Sequence, residues 1–305
     1  MAHGHSSAQN GSGNPATNGF RLTGVSATPV MTADNTSLAT IYLAPFRGNV
    51  IALYNGVNWD QITSAEVSLA LSGRTTDLPF DIFVYNSGGV PTLEFLDWTN
   101  ATTRATAVVR QDGVWCKSGA LTRRYVGSCR ARVGNTFSLV RNGVTTASGV
   151  GTTARLDLWN ADNQVEDYAT QTDTTDSWTW TTASFHQANA SATNQIEIMV
   201  GLQEKILQAE VVAMARNSTA SIRAEVGIGI DSTTVNSAQI THSAVTPTTS
   251  VKMPTIAVLK TQPTIGRRFV AWLEQSVATG TATWSGDDAV AASLQQSGLS
   301  IRWEC

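Results

Sequence analysis

Short apolar runs separated by turn residues extend along most of the chain, and this pattern predicts strands. From Phe20 onward, Gly, Asn, Asp and Pro interrupt the apolar runs about every ten residues, which is typical of β-sandwiches and barrels. Several interruptions contain residues that tolerate a positive φ, such as Asn55-Gly56 and Ser87-Gly88-Gly89. The runs that we predict as strands include 40–44, 49–55, 80–86, 92–98, 194–202, 206–216, 222–230, 255–260, 268–277 and 299–303.

The alternation of apolar and polar residues is cleanest in the second half of the chain. From Ile222 to Ile230 every second residue is apolar, while Arg223, Glu225 and two glycines occupy the other positions. A period of two places the apolar residues on one face of a strand. The segment AEVVAMA by itself is compatible with a helix, but its flanks favour a strand. These runs suffice for a complete second sandwich.

One short helix is predicted in the first half of the chain. Thr63 and Glu66 have the spacing of a capping box, the segment SAEVSLAL follows the threonine, and Gly73 stands where a helix would end. We expect this helix to close one end of the first β domain.

The predicted fold class is all-β, with two β-sandwich or jelly-roll-like domains, an extended N-terminal arm and a long hairpin-rich connection. A chain of 305 residues has the length of roughly two domains. We predict a flexible arm at 1–19, an N-terminal β domain with the helix at 20–104, an Arg-rich hairpin connection at 105–165 and a C-terminal β-sandwich at 166–305. We expect the long hairpins of the connection to pack on a partner chain.

The arm at 1–19 contains no large apolar side chain after Met1, so it cannot form a core of its own. Two interpretations stay open: a tail that packs on its own domain, or an anchor that lies along a neighbouring subunit. His3 and His5 are too weak a pattern for a metal site, and we expect no metal.

The charge balance argues against nucleic-acid binding. The chain has 20 Lys and Arg residues against 23 Asp and Glu residues, a net charge of −3, and only four of the basic residues are lysines. No apolar stretch approaches the roughly 20 residues that span a bilayer, and the first residues lack the pattern of a signal peptide. We expect a soluble protein without membrane insertion.

Motifs for catalysis or cofactor binding do not stand out in the sequence. We expect His186 and His242 to be structural, since neither lies in a nucleophile motif, and we expect no cofactor because phosphate-binding loops are missing from the sequence. Glycoside cleavage needs only two carboxylates, so two alternatives stay open for the acidic residues near Trp159: catalytic acids or a solvated acidic turn. Those residues are Asp157, Asp162, Glu166 and Asp167.

The three cysteines allow more than one interpretation. Cys116 and Cys129 could face each other across a hairpin centred near 121–123, so they form either a disulfide or two buried thiols. Cys305 has no obvious partner, and an exposed thiol there could cross-link subunits.

Several segments resemble structural proteins of tailed bacteriophages and prophages. They are TIYLAPFRGNVIALYNGVNW, PFDIFVYNSGGVPTLEFLDWTNATTRAT, QDGVWCKSGALTRRYVGS, FHQANASATNQIEIMVGL and AWLEQSVATGTATWSGD. The resemblance covers most of Thr40 to Leu299, and it leaves the arm outside. It implies a tail-fibre-like virion appendage with no catalytic residues. Cys116 stands where members of this group have an apolar residue, which favours the disulfide slightly.

The sequence and the resemblance together lead to an expected function. We expect a non-enzymatic virion protein, assembled in the cytoplasm of a bacterial host, that forms a homo-oligomer and docks on capsid, neck or tail through its arm and its Arg-rich hairpins. Analogy with phage fibres favours a trimer. The docking candidates are Arg123, Arg124, Arg130 and Arg132.

Two alternative functions stay open. One is a receptor-binding adhesin that contacts host surface glycan through Trp159 and Trp284. The other is a polysaccharide depolymerase that uses the acidic residues near Trp159.

Overall fold

Extended strands build the described part of the chain, and this confirms the predicted all-β class. A computed structural model describes residues 13–147, 149–292 and 294–305, so His3 and His5 lie outside the described residues. Within these ranges there are 28 strands, one 3-10 turn at Ala188–Ala190 and no α-helix. The described ranges therefore also contain no helix that could cross a membrane.

The strands are β1 (Phe20–Thr23), β2 (Asn35–Leu38), β3 (Thr40–Pro45), β4 (Val50–Tyr54), β5 (Trp59–Thr63), β6 (Val67–Ala70), β7 (Pro79–Ser87), β8 (Val90–Asp97), β9 (Val108–Gln111), β10 (Val114–Lys117), β11 (Ala120–Arg130), β12 (Phe137–Val140), β13 (Asn142–Thr145), β14 (Gly151–Thr152), β15 (Ala154–Leu156), β16 (Leu158–Asn160), β17 (Glu166–Asp173), β18 (Trp178–Trp180), β19 (His186–Gln187), β20 (Gln195–Val200), β21 (Leu207–Asn217), β22 (Arg223–Ile230), β23 (Ile240–His242), β24 (Ala244–Val245), β25 (Met253–Thr261), β26 (Gly266–Ser276), β27 (Ala282–Ser285) and β28 (Gly298–Glu304).

Two large sheets dominate the architecture. An eight-stranded sheet has the order β2-β12-β15-β20-β26-β22-β24, with β19 beside β26, and a nine-stranded sheet has the order β14-β13-β17-β28-β21-β25-β23, with β27 beside β21 and β18 beside β27. Most neighbours are antiparallel, but β13 with β17 and β15 with β20 are parallel. A six-stranded sheet runs β8-β7-β11-β10-β9, with β16 beside β11, and two smaller sheets join β1-β3-β6 and β4-β5.

The two large sheets face each other across a shared core, as in a β-sandwich. On β21, Ala209 and Val211 are buried, and on β22, Val226 and Ile228 are buried. Strands β21 and β22 lie in contact across the core, and all four side chains belong to one continuous apolar cluster. The period of two that predicted these strands thus also identifies the buried face of each.

Strands from all three predicted segments share the eight-stranded sheet. Strand β2 comes from 20–104, β12 and β15 come from 105–165, and β20 and β26 come from 166–305. The main apolar cluster likewise includes residues of all three segments. The predicted boundaries therefore do not coincide with breaks in the sheets.

The predicted helix after Thr63 is wrong. Thr63 ends β5 opposite Val50, and the segment that follows forms β6, in which Val67 and Leu69 pair with β3. The Glu66 carboxylate does not cap a helix, because it accepts hydrogen bonds from the Ser26 hydroxyl and the Ala27 amide. Pairing with a strand thus overrides a local signal that favoured a helix.

The described end of the arm packs on its own chain. The Gly13 amide donates to the Trp59 carbonyl at 2.8 Å, and the Ala52 amide donates to the Thr17 carbonyl at 2.9 Å. Asn18 forms an isolated bridge with Ile51. Residues 13–19 therefore lie along β4 and β5, which agrees with the first of the two interpretations for this part of the arm.

Candidate functional site

The four arginines expected to dock on another virion protein are engaged within the chain. Arg124 and Arg130 are buried, and Arg132 is largely buried, with 14% of its side chain exposed. Arg123 is the most accessible of the four, but it pairs with Glu94 at 2.8 Å. The structure corrects the expectation of a free basic surface, because these charges stabilise the chain's own fold.

The Arg124 guanidinium holds the arm against the six-stranded sheet. Its Nη1 donates to the carbonyl oxygens of Pro15, Thr17 and Ala52 at 2.9 to 3.0 Å. Its Nη2 pairs with Asp162 at 3.0 Å. Two of these acceptors belong to the arm, and the third, Ala52, belongs to β4. One guanidinium thus connects residues 15–17 to β4 and to Asp162.

A second arginine cluster converges on one buried carboxylate, that of Glu197 in β20. Arg130 and Arg132 approach its Oε2 at 2.8 and 2.7 Å, and Arg155 approaches the same oxygen at 3.2 Å. Arg267 pairs with Oε1 at 2.6 Å. Burial by itself raises the pKa of Glu197, but the charges of Arg130 and Arg132 outweigh it and hold that pKa well below its usual range.

The acidic residues considered for glycoside cleavage are also engaged. Each of the four forms an ion pair with an arginine. Glu166 stands opposite Glu304 across β17 and β28, but Arg302 pairs with the first carboxylate and Lys205 pairs with the second. Paired in this way, they resemble structural ion pairs more closely than a catalytic acid and base. The pairs are Asp157 with Arg132, Asp162 with Arg124, Glu166 with Arg302, and Asp167 with Arg141.

The tryptophans proposed for glycan contact are core residues. Trp159 and Trp284 are both 0% exposed, so neither can stack on a sugar, and the structure corrects this expectation. Trp115 and Trp180 are only partly buried, but each has a neighbour over its ring. The Arg110 guanidinium lies 4.2 Å from the Trp115 ring, and the His186 ring lies 3.7 Å from the Trp180 ring.

The cysteines are free, buried thiols. The hairpin of β10 and β11 turns at Ser118-Gly119 instead of 121–123, because Lys117 pairs with Ala120. Cys116 therefore lies opposite Arg124, while Cys129 lies between Phe80 and Leu158. Of the two alternatives left open by the sequence, the structure has two buried thiols and no Cys116–Cys129 disulfide.

Cys305 is also buried, with 3% of its surface exposed. Its carbonyl oxygen accepts a hydrogen bond from Arg21 Nη1 at 3.0 Å. Burial raises the pKa of the Cys305 thiol to about 12. The expectation of an exposed thiol that links subunits is therefore corrected.

The two histidines occupy different environments. His186 Nε2 lies 2.9 Å from Glu274 Oε1, and the Glu274 carboxylate also accepts a hydrogen bond from Trp178 Nε1 at 2.6 Å. Burial raises the pKa of Glu274, although contact with His186 and Trp178 opposes that effect. His186 is thus a partnered structural residue, whereas His242 lies exposed in the edge strand β23.

The feature that sequence reasoning missed is the outer face of the nine-stranded sheet. Val212 and Met214 of β21, Ile256 and Val258 of β25 and Ile240 of β23 point away from the core, and we name these five residues the apolar outer face. Ile240 is 65% exposed and Val212 is 41% exposed. Val212 is paired with Ile256, and Val258 is paired with Ile240, so the side chains form one patch across three strands.

A sequence signal for this face exists. The segments 211–215 and 255–259 read VVAMA and TIAVL, so apolar residues occupy both registers of each strand. Continuous apolar runs are typical of strands that are covered on both faces. One face of β21 and β25 is covered by the core of this chain, and the other is open to solvent.

No protein-family model and no curated protein matches this chain. Solved structures with a distant likeness include the insecticidal δ-endotoxin Cry8Ea1 of Bacillus thuringiensis, at 9% identity and TM-score 0.24 over 94% of this chain and 51% of that chain. A Cry1Da tryptic core variant from the same organism gives 8% identity and TM-score 0.22 over 87% and 48%. An exo-β-1,3-galactanase of Phanerochaete chrysosporium with β-1,3-galactotriose gives 9% identity and TM-score 0.19 over 93% and 68%.

The chain spans about half the length of the two toxins that it matches. At these TM-scores the likenesses carry no argument about function. The candidate site therefore rests on the geometry of this chain alone.

Proposed function

We propose that this chain is a non-enzymatic structural protein of a tailed-bacteriophage virion, an oligomeric appendage or decoration on capsid, neck or tail. The resemblance of Thr40 to Leu299 to virion structural proteins supports the proposal. The observation that carries it is the apolar outer face, because valine and isoleucine side chains that lie side by side on the open face of a sheet are typical of a surface that another protein covers. Covering such a surface yields about 25 cal/mol per Å² of apolar area.

The engaged side chains support a role without catalysis. The four acidic residues considered for a depolymerase are in ion pairs, and the two tryptophans considered for an adhesin are buried. We therefore propose neither alternative, and we keep both as outcomes of the test below.

We propose that the chain docks on other proteins through the apolar outer face and not through the arginines of β11 and the loop after it. Arg124 and Arg130 are buried and the Arg132 side chain is largely buried, whereas the apolar outer face is open to solvent. Anchoring through the arm stays a prediction, since residues 1–12 lie outside the described residues. The trimer likewise stays a prediction.

Quantitative mass spectrometry of purified particles tests the proposed function. We expect peptides of this chain at a fixed ratio to the major capsid protein, even after a high-salt wash, and we expect their loss when the gene is deleted and their return on complementation. Particles without these peptides, with the chain left in the soluble lysate, would contradict the proposal. Sugar release from host polysaccharide by the purified chain would establish the depolymerase, and saturable glycan binding would establish the adhesin.

A further inference from the structure

We propose that Arg155 and Arg267 bind a phosphate or sulfate anion on the outer face of the eight-stranded sheet. Both guanidinium groups contact the buried carboxylate of Glu197, and both have further N–H donors that no residue in the described ranges accepts. We name Arg155, Arg267 and Glu197 the oxyanion site. This binding activity goes beyond the proposed structural function and does not depend on it.

The strand register places the two arginines on the same face of the sheet. Arg155 of β15 stands beside Glu197 of β20, and Arg267 of β26 stands beside Met199, two residues further along β20. Residues two apart on a strand share a face, and the alternate residue Ile198 belongs to the core. The arginines therefore lie on the outer face, on the two strands that flank β20, and these strands are about 10 Å apart.

Positive charge exceeds negative charge around Glu197. Four arginines contact this carboxylate, and within the described ranges they contact only two further carboxylates, because Arg130 also pairs with Asp77 and Arg132 also pairs with Asp157. One positive charge is therefore in excess. Glu197 by itself would repel an anion, but its two oxygens accept hydrogen bonds from all four guanidinium groups, which compensate its charge.

The surroundings of Arg155 show the same excess of positive charge. Burial lowers the pKa of Arg155, and the charge of Arg132 lowers it further, although the charge of Glu197 opposes both effects. An opposite charge close to a guanidinium favours its charged form. An anion beside Arg155 would therefore stabilise this side chain in its charged state.

The unused donors of the two arginines are accessible to an ion from solvent. Arg155 donates to Glu197 through Nε at 3.2 Å, and Arg267 donates to it through Nη2 at 2.6 Å. Both Nη groups of Arg155 and the Nη1 group of Arg267 have no acceptor among the residues that the structure describes. The two side chains are 28% and 32% exposed, so these donors are available to a ligand.

A single tetrahedral oxyanion suits these donors. Guanidinium groups recognise oxyanions through paired N–H donors, and a phosphate or sulfate has enough oxygens to accept hydrogen bonds from two guanidinium groups at once. A carboxylate has only two oxygens for the same donors. A long polyanion would need additional basic residues, and the net charge of −3 opposes its binding.

Isothermal titration calorimetry of the full chain with sodium phosphate tests the inference. The titration is made at about pH 8, where phosphate is mainly a dianion, and at an ionic strength held constant with sodium chloride. We expect saturable binding of one phosphate per chain. Sodium sulfate should bind in the same way, and sodium acetate should bind about tenfold more weakly or less.

Variants of the two arginines locate the binding. Arg155→Gln and Arg267→Gln each remove a positive charge and N–H donors, so each should weaken phosphate binding by about tenfold or more. Arg302→Gln is the matched control, because Arg302 is also an exposed arginine paired with one glutamate but lies on the nine-stranded sheet, and it should leave the affinity unchanged.

Circular dichroism melts show whether each variant is folded. If Arg155→Gln gives an unfolded chain, Arg155→Lys replaces it, because lysine keeps the positive charge but lacks the paired Nη donors, and it should also weaken phosphate binding. Phosphate should raise the melting temperature of the wild type and should raise that of folded Arg267→Gln less.

Four results would overturn the inference. They are a folded wild-type chain without saturable phosphate binding, an unchanged affinity in either folded arginine variant, an acetate affinity equal to that of phosphate, and a DNA oligonucleotide that binds more tightly than phosphate. None of them bears on whether the chain is part of the particle, so a failure here is distinguishable from a failure of the proposed function.

Discussion

At the residue scale, the arginines of this chain act mainly as internal connectors. Glu197 receives four of them, from strands and loops that belong to the six-stranded and eight-stranded sheets. A buried carboxylate with so many cationic partners links elements that are far apart in the sequence. Removing the carboxylate leaves Arg130 and Arg132 buried without this partner. A buried charge that loses its partner destabilises the folded state strongly.

Glu197→Gln should therefore lower the free energy of unfolding by about 3 to 5 kcal/mol. Chemical denaturation followed by tryptophan fluorescence measures this change. Glu204→Gln serves as the control, because the contacts of Glu204 are longer and exposed: an ion pair of 3.4 Å with Arg110 and a hydrogen bond of 3.4 Å from Trp115 Nε1. Exposed ion pairs of this kind contribute about 0 to 1 kcal/mol. Equal effects of the two variants would contradict the role assigned to Glu197.

The lowered pKa of Glu197 also predicts a pH dependence. At pH values between the lowered pKa of native Glu197 and its ordinary value of 4.5, the unfolded chain binds a proton at Glu197 and the native chain does not. The contribution of Glu197 to stability therefore falls as the pH falls through this range. The contribution is fully present above the ordinary value. Below about pH 4.5 the wild type should lose stability more steeply than Glu197→Gln, and equal slopes in acid denaturation curves would contradict this assignment.

The three thiols give a prediction about reactivity. Burial raises the pKa of Cys116 to about 11 and that of Cys305 to about 12, and it raises the pKa of Cys129 well above its usual range. The reactive species is the thiolate, so the native chain should react slowly with an aromatic disulfide reagent. In denaturant without reductant, three thiols should react, whereas a single reactive thiol would indicate the Cys116–Cys129 disulfide.

At the element scale, strand pairing decides what local signals leave open. The capping-box spacing of Thr63 and Glu66 resembles a helix start, yet Val67–Ala70 completes a three-stranded sheet with β3. The long strand β11 is not an exposed projection, since it pairs with β7, β10 and β16 and its second half is buried. These outcomes depend on partners far away in the sequence, which a local pattern does not contain.

Gly127 shows how closely the strands around β11 approach each other. A Cβ atom at this position would collide with the Trp159 carbonyl oxygen on β16 and would come within 2.6 Å of Leu22 Cδ1. Gly127→Ala should therefore destabilise the chain by about 1 to 3 kcal/mol. Gly48→Ala is the control, because the nearest atom to a Cβ there is 4.0 Å away, and thermal melts that shift equally for both would refute the close approach.

The strands themselves were largely predictable from the sequence. The alternation in 222–230 and the apolar runs at 40–44 and 80–86 all correspond to strands, because a period of two is a local property. The roles of Trp159, Arg124 and Cys116 were not predictable. Their burial depends on which strands become neighbours, and residue type alone does not contain that information.

At the scale of the whole molecule, the chain covers one face of its nine-stranded sheet with its own core and leaves the other face open. The open face carries Val212, Ile240, Ile256 and Val258 next to Glu210 and Lys260. The continuous apolar runs of β21 and β25 indicate from the sequence that both faces of these strands are apolar. Only the structure shows which of the two faces is open to solvent. We propose that assembly with other chains covers it.

A cryo-electron microscopy map of the intact particle tests the central claim most directly. The account predicts density for this chain at regular, symmetry-related positions on the particle, with the outer face around Val212 and Val258 covered by another protein chain. A particle map without this chain, or one in which that face is open to solvent in every copy, would contradict it.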